Sequence, residues 1–489
     1  MSRPYARLGA VTDVDLSTAN RPAADPPSLS SDDLARLTGG QLLARSSRPI
    51  RGGAVDSRLV RPGELFVALP GERTDGHAFI AAAIDLGAAA VLVTRPMPDP
   101  GALGDVTVVR VADALSALGA VAAGWRRRFR PLVVGVTGSI AKTSTKEAIA
   151  TVLGRRLQTL RSEGNQNNEV GLPLTVLQLG PEHEAAVLEM GMYVGGEIAE
   201  LARIAAPSIG VVTAVQPVHL ARIGSLEAIE AAKGELLEAL PVDGRAILNA
   251  DDPIVRRMGS RTVARSTTYG FDREADVGAE AVESAGLAGM RFILRTSGGR
   301  RPATIPNLGR LSVHNALAAT AVGLVAGLSL DAIVAGLETG WSAPHRVQVV
   351  QAGGATLIDD TYNASPRSVV AALDLLAGLP GRRGAVLGEM LELGDVSHDG
   401  HVVVGEAAAR ATDWLVVVGQ AAAGIVEGAL AAGMDRAQVR LVADGAAAVE
   451  YLAPRLREGD VVLLKASRGI ELDHVVDALA AAPDGRLRR

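Results

Sequence analysis

The chain of 489 residues has no cysteine, which excludes disulfides, thiolate metal sites and cysteine nucleophiles. Lysine is almost as scarce. Of 49 basic Lys and Arg residues only four are lysines, Lys142, Lys146, Lys233 and Lys465. Aromatic residues make up 3% of the chain and the net charge is −5, so there is neither a basic block nor a stacking platform, and no nucleic-acid partner is expected. The longest apolar stretch, 316–330, is too short and too rich in Ala and Gly to span a bilayer, and the N-terminus shows no basic-then-apolar signal pattern. These absences point to a cytoplasmic protein without membrane insertion.

What is present is ample apolar material, 48% of the chain, enough at this length for about two to four packed domains. Residues 1–27 are polar and proline-rich and read as a flexible N-terminal tail. From Ser30-Ser-Asp-Asp, a helix-capping pattern, strands and Ala-rich helices alternate through 28–131, a small α/β domain. A second α/β region, 132–340, has the pattern of a doubly wound sheet, and 341–489 forms a third α/β unit of Rossmann-like alternation.

Residues 133–146, V-V-G-V-T-G-S-I-A-K-T-S-T-K, organise the rest: an apolar strand breaks into a glycine turn, then a lysine and hydroxyls open a helix. Freed backbone N–H groups, an ammonium and a hydroxyl are what a Mg²⁺-bound polyphosphate requires, and Gly138, Lys142 and Thr143 supply them. The strict pattern G-x-x-x-x-G-K-[ST] is not met, because Val136 and Ala141 replace its two outer glycines. A glycine turn with an incidental lysine is the competing reading. In an arginine-rich chain, however, a retained lysine marks chemistry that a guanidinium cannot perform, and two of the four lie here. Ala141 directly precedes the helix, so ordinary torsions in a first helical turn are expected for it.

Other candidates stand where strands end. Glu189 closes the apolar run 185–188, and a carboxylate there points into the ligand crevice of a doubly wound sheet, beside nucleotide-bound Mg²⁺; a solvated strand-end Glu is the alternative. His219 follows the strand near 209–215, at the crevice edge or as an ordinary core histidine. Lys233 lies within a helix, where an amine made neutral by burial can add CO₂ and become an anionic metal ligand. Asn315, at the polar start of an apolar helix, can pair with a base edge. Asp56-Ser57-Arg58 and the glycine turns of 63–76 offer a place for an anionic ligand, with an ordinary capped turn as the alternative.

Six passages in order then resemble the Mur ligases, ATP-dependent amide-forming enzymes of peptidoglycan precursor synthesis: T-G-S-I-A-K-T-S-T-K-E (137–147), E-G-N-Q-N-N-E-V-G-L-P (163–173), H-L-A-R-I-G-S (219–225), A-K-G-E (232–235), I-D-D-T-Y-N-A-S-P (358–366) and A-V-L-G-E-M-L-E-L-G (385–394). The resemblance covers about residues 30–480 and is strongest to the member that joins D-alanyl-D-alanine to UDP-N-acetylmuramoyl-tripeptide. It implies three domains: an N-terminal UDP-substrate-binding α/β domain, a central P-loop ATPase-type doubly wound sheet and a C-terminal Rossmann-like domain. It implies a monomer using ATP and two Mg²⁺ ions. ATP would phosphorylate a carboxylate, and the incoming amine would displace phosphate from the acyl phosphate.

By matching position, the resemblance gives Thr137, Gly138, Ser139, Ile140, Ala141, Lys142, Thr143 and Ser144 to the ATP phosphates, with Thr143 on the first Mg²⁺. Glu189, His219 and a carbamylated Lys233 would organise the second metal. Asn315 would face adenine, Arg346 and Asp360 would reach phosphates and ribose after domain closure, and Asn363 would lie at the ATP. Asp56, Ser57, Arg58, Asn167 and Asn168 would meet the UDP-sugar substrate, and Tyr362 and Ser365 would lie near the ATP and the dipeptide. The departures are Ala141, Ala466 in Lys-Ala-Ser, and a loose fit over 191–198. A ligase adding the third residue of the peptide would carry a D-N-P-R-like string, which is absent here; a folylpolyglutamate-synthase-like ligase would lack the N-terminal domain; a non-catalytic nucleotide-binding regulator would have lost Glu189, His219 or Lys233.

Overall fold

The computed structural model describes residues 26–71, 74–97, 99–217 and 223–481. Of the expected N-terminal tail only Pro26 and Pro27 fall among these, and His219 lies outside them. The described residues form three sheets, each flanked by helices.

The first sheet holds β1 (Gln41–Ala44), β2 (Gly53–Ala54), β3 (Leu65–Val67), β4 (Ala90–Val93) and β5 (Thr107–Arg110) in the order β1-β5-β4-β3-β2, parallel except for β1. Its first helix, Ser31–Thr38, begins at the capping box expected from the sequence, with Ser30 and Asp33 exchanging side-chain-to-backbone bonds.

The middle sheet contains β6 (Leu132–Thr137), β7 (Thr159–Arg161), β8 (Ala185–Glu189), β9 (Ile209–Val212), β10 (Arg245–Asn249), β11 (Arg265–Gly270), β12 (Val277–Ser284), β13 (Met290–Thr296) and β14 (Gly299–Ile305). Their order is β14-β13-β12-β11-β10-β9-β6-β8-β7, with parallel pairing up to β12 and an antiparallel hairpin at the edge. From β6 the chain runs first to β7 and β8 on one side, then to β9 and β10 on the other. The loop after β6 therefore sits at a topological switch point, where open α/β sheets bind ligands.

The last sheet holds β15 (Gln348–Ala352), β16 (Ala355–Asp359), β17 (Arg382–Gly388), β18 (Trp414–Val418), β19 (Val439–Val442) and β20 (Asp460–Lys465) in the order β15-β16-β20-β17-β18-β19. The final strand is inserted beside β16, which brings Lys465 next to the residues that follow Asp359. No helix among the described residues is long and apolar enough to cross a membrane.

Candidate active site

The phosphate loop is shaped by close backbone approach. Gly138 has φ +151°, and a Cβ there would stand 1.9 Å from Thr213 Oγ1, so no larger residue fits. Thr213 Oγ1 donates to Ile140 O at 2.6 Å, Ser139 N–H donates to Ala214 O at 2.8 Å, and Thr137 Oγ1 donates to Met190 O at 2.9 Å, pinning the loop between the ends of β8 and β9. Helix Lys142–Leu153 then starts with Lys142, Thr143 and Ser144 in its first turn. Ala141 departs from expectation: it has φ 64°, ψ 3°, a left-handed torsion, rather than the first-turn torsions its place before the helix predicted. Its carbonyl already accepts the Thr145 N–H at 2.9 Å, while the chain must still turn out of the loop; that turn requires a positive φ at about 1–2 kcal/mol for a residue with a Cβ.

Around the loop lie charged groups that the fold has desolvated. Glu189 is 1% exposed at the end of the fully buried β8; Asn167 Nδ2 donates to its Oε1 at 2.8 Å, and Oε2 is buried without a hydrogen-bond partner. Thr143 Oγ1 is likewise buried and unpartnered. Lys233 shares the buried face of helix Leu226–Glu238 with Ile229, Leu236 and Leu237, a stripe at i, i+3, i+4 spacing. Burial, and then the nearby Lys142 charge, drive its pKa well below the usual lysine value. Burial also lowers the pKa of Lys142, opposed by Glu189 and assisted by Arg346; its Nζ donates to Gly138 O at 2.9 Å. A bound polyphosphate would supply the anions this pair of amines lacks. Among the described residues no three His, Asp or Glu side chains form a ready metal cage. The orphaned Thr143 hydroxyl and Glu189 oxygen instead suit Mg²⁺, which takes few protein ligands and completes its shell with phosphates and water.

A cavity of about 440 Å³ continues from Ile140 and Ala141 past Asn249, Asp251, Tyr269 and His314. Asn315 lines it, and Thr145 Oγ1 donates to Asn315 Oδ1 at 3.0 Å. Asp251 and His314 form a pair, with Nε2 2.8 Å from Oδ2. Burial disfavours the Asp251 carboxylate, but bonds from His314 and from the Phe271 and Asp272 N–H groups outweigh it and hold its pKa at about 2. The strand-end rule that singled out Glu189 applies equally to Asp251 and Asp252, which follow the apolar β10. Tyr269 and Arg367 carry no comparable signal, Arg367 arriving from the first turn of helix Pro366–Ala377 in the last unit.

Arg346 lies on the segment linking the middle and last units. Its guanidinium stacks on Tyr362 at 3.9 Å, its Nε is buried without a partner, and it is close enough to act on Lys142. Its neighbours His345 and Val347 have φ 57° and 51°. Asp360 is engaged by Lys465, whose Nζ stands 2.5 Å from Oδ2 and also donates to Asn363 O at 2.9 Å. Ser365 caps helix Pro366–Ala377. In the first unit Asp56 caps a short turn and binds the Arg58 guanidinium, while Ser57 is buried. Asn168 Oδ1 accepts the N–H groups of Val170 and Gly171.

Three family models match the chain: the Mur ligase family catalytic domain over residues 49–128, the Mur ligase middle domain over 136–323, and the Mur ligase glutamate ligase domain over 345–468. The UDP-N-acetylmuramoyl-tripeptide–D-alanyl-D-alanine ligase of Mycobacterium tuberculosis is 39% identical over 470 residues, 87% of this chain and 91% of that one. Among solved structures, MurF from Acinetobacter baumannii superposes with a TM-score of 0.84 at 30% identity, covering 94% of this chain and all of the other. MurF from Thermotoga maritima in complex with ADP gives 0.77 at 29%, covering 88% and 97%.

Proposed function

The chain belongs to the Mur ligase family, and on that premise we propose that it joins D-alanyl-D-alanine to UDP-N-acetylmuramoyl-tripeptide with cleavage of ATP. The observation that carries the chemistry is the phosphate loop with Glu189 and Lys233 desolvated beside it. A terminal carboxylate oxygen of the tripeptide attacks the γ-phosphorus and ADP leaves; the dipeptide amine then attacks the acyl carbon, and the tetrahedral intermediate expels inorganic phosphate. Negative charge stays on phosphoryl oxygens throughout, so the protein's main task is to hold and neutralise them.

Lys142 binds the β- and γ-phosphates, the loop N–H groups cradle them, and Arg346 reaches them from the hinge. Asn315 and the 440 Å³ cavity take the adenosine portion. Thr143 and Glu189, with His219 and Lys233 as its carbamate, would hold two Mg²⁺ ions, which supply Lewis-acid neutralisation of the phosphates. Asp360 and Asn363 lie at the nucleotide, Tyr362 and Ser365 near the dipeptide, and Asp56, Ser57, Arg58 and Asn168 face the UDP-sugar, while the Asn167 side chain, on the same segment, donates to Glu189. We take the units as 28–131, 132–340 and 341–489, in a monomeric cytoplasmic enzyme.

The test is to incubate the purified protein with ATP, Mg²⁺ and UDP-N-acetylmuramoyl-tripeptide, adding either D-alanyl-D-alanine or single amino acids, and to follow phosphate release and product mass. Turnover with the dipeptide is expected. Phosphate release with glutamate and a folate, but none with the dipeptide, would overturn the assignment.

A further inference from the structure

One turn beyond Lys142 on the phosphate-loop helix, Lys146 is 0% exposed. Its Nζ donates to Ser162 O at 2.5 Å and to Gly164 O at 3.3 Å, and stands 3.0 Å from Glu147 Oε1, which leaves the ammonium's three protons matched to three oxygens. Glu147 is braced in turn by Arg161 Nε at 2.9 Å. A buried ammonium carries a large desolvation cost that only such bonds offset, so an apolar side chain would fill the space more cheaply. The two carbonyls that Lys146 grips are the base of the Asn-rich segment 162–168.

That segment ends on the metal-site carboxylate. Ser162 Oγ accepts the Glu189 N–H at 3.2 Å, Asn167 O accepts the Gly191 N–H at 2.8 Å, and Asn167 Nδ2 donates to Glu189 Oε1 at 2.8 Å. With Oε1 and the backbone held, Glu189 is left with one buried, unpartnered oxygen, Oε2.

We propose that Lys146 is a positioning residue for the metal site, anchoring the 162–168 segment so that Asn167 fixes the Glu189 carboxylate with Oε2 free for the cation; this rests on the nucleotide-site reading above. The helix that grips the phosphates is thereby tied to the strand that presents the carboxylate. The compact ammonium places its three donors on these oxygens within a fully buried space, which the larger planar guanidinium would enter only by displacing the turn.

Binding of Mn²⁺ with ADP, followed by electron paramagnetic resonance on the full chain, is the direct readout, with kcat measured alongside. Lys146→Met and Asn167→Ala are each expected to weaken Mn²⁺ binding and lower kcat by about 10–100-fold, as loss of a ligand's supporting partner does. Because both act through Glu189, the double variant should be no worse than the weaker-binding single. Lys146→Gln, which keeps a donor for one carbonyl, should fall between parent and Lys146→Met, so the effect stays readable if Lys146→Met does not fold. Parent-like Mn²⁺ binding in the Lys146 variants, or losses that multiply in the double variant, overturn the inference. A parent protein that binds no Mn²⁺ with ADP overturns the nucleotide-site reading as well.

Discussion

At the junction of the first and middle units, helix Ala114–Arg126 and Phe129 just beyond it share one apolar cluster with the middle unit: Leu118, Val121, Trp125 and Phe129 pack with Leu172, Val176, Leu201 and Ile204. Trp125 Nε1 also donates across it to Leu179 O at 3.0 Å, and Arg126 Nε to Ala205 O at 2.9 Å. At the junction of the middle and last units the clusters remain separate, with Leu308 the one middle-unit member of the last unit's core among the described residues. There the link is a short segment with left-handed torsions at His345 and Val347, with His345 Nδ1 2.8 Å from Asp359 Oδ2 and Arg346 stacked on Tyr362. A continuous core makes two units move as one, whereas separate cores joined by a strained link permit closure. The second junction is also where two residues proposed to hold the nucleotide, Arg346 and Lys142, approach one another, which is consistent with a last unit that swings and a first that does not.

Substitutions should separate the two junctions. The largest effect is expected for Trp125→Ala, which removes an aromatic anchor of the shared core at about 3–5 kcal/mol. Denaturant unfolding should show the loss, while turnover per folded molecule stays near the parent; a kcat effect without destabilisation would break the contrast. Next is Lys233→Arg, which should lower kcat per folded molecule about 100-fold, because guanidinium cannot carry a carbamate, and should also lower the melting temperature, because a larger permanent charge is placed on a buried helix face. Lys233→Ala should recover some activity with added small carboxylates, and near-parental turnover in Lys233→Arg would remove the carbamate from the mechanism.

Smaller is Ala141→Gly. With φ at 64°, relief of left-handed strain should tighten ATP binding by up to about tenfold without loss of stability, Gly's greater unfolded-state freedom offsetting part of the gain. An unchanged KM for ATP with a lowered melting temperature would show the torsion to be harmless. The smallest is Val347→Gly at the hinge. Strain relief and added chain entropy nearly cancel, within about 1 kcal/mol, while small-angle scattering should show a weaker compaction on adding nucleotide and acceptor than in the parent. Parent profiles that superimpose with and without these ligands would argue against closure itself.

Much of the candidate site's geometry was readable from residue type and position. The strand-then-glycine-then-lysine order found the loop, the strand-end rule found Glu189, and lysine scarcity drew attention to Lys146, Lys233 and Lys465, which all prove to be buried. The same strand-end rule points equally to Asp251, just beyond β10. Arg367 was beyond reach, since its approach to the cavity depends on how the last unit meets the middle one.

The sequence by itself determined the chemistry: which positions carry an ammonium, a carboxylate or a glycine, and which apolar runs must be buried, because composition and periodicity are local properties. The tertiary structure decided which of those groups meet. Ala141 looked helical from its neighbours and is left-handed because the loop must turn between Thr213 and the helix. Asp360 is engaged by Lys465 because the last strand inserts beside β16, and Asn167 reaches Glu189 because Lys146 grips the base of its loop. Each of these rests on contacts between residues far apart in the chain, whose geometry is set only when the sheets are assembled.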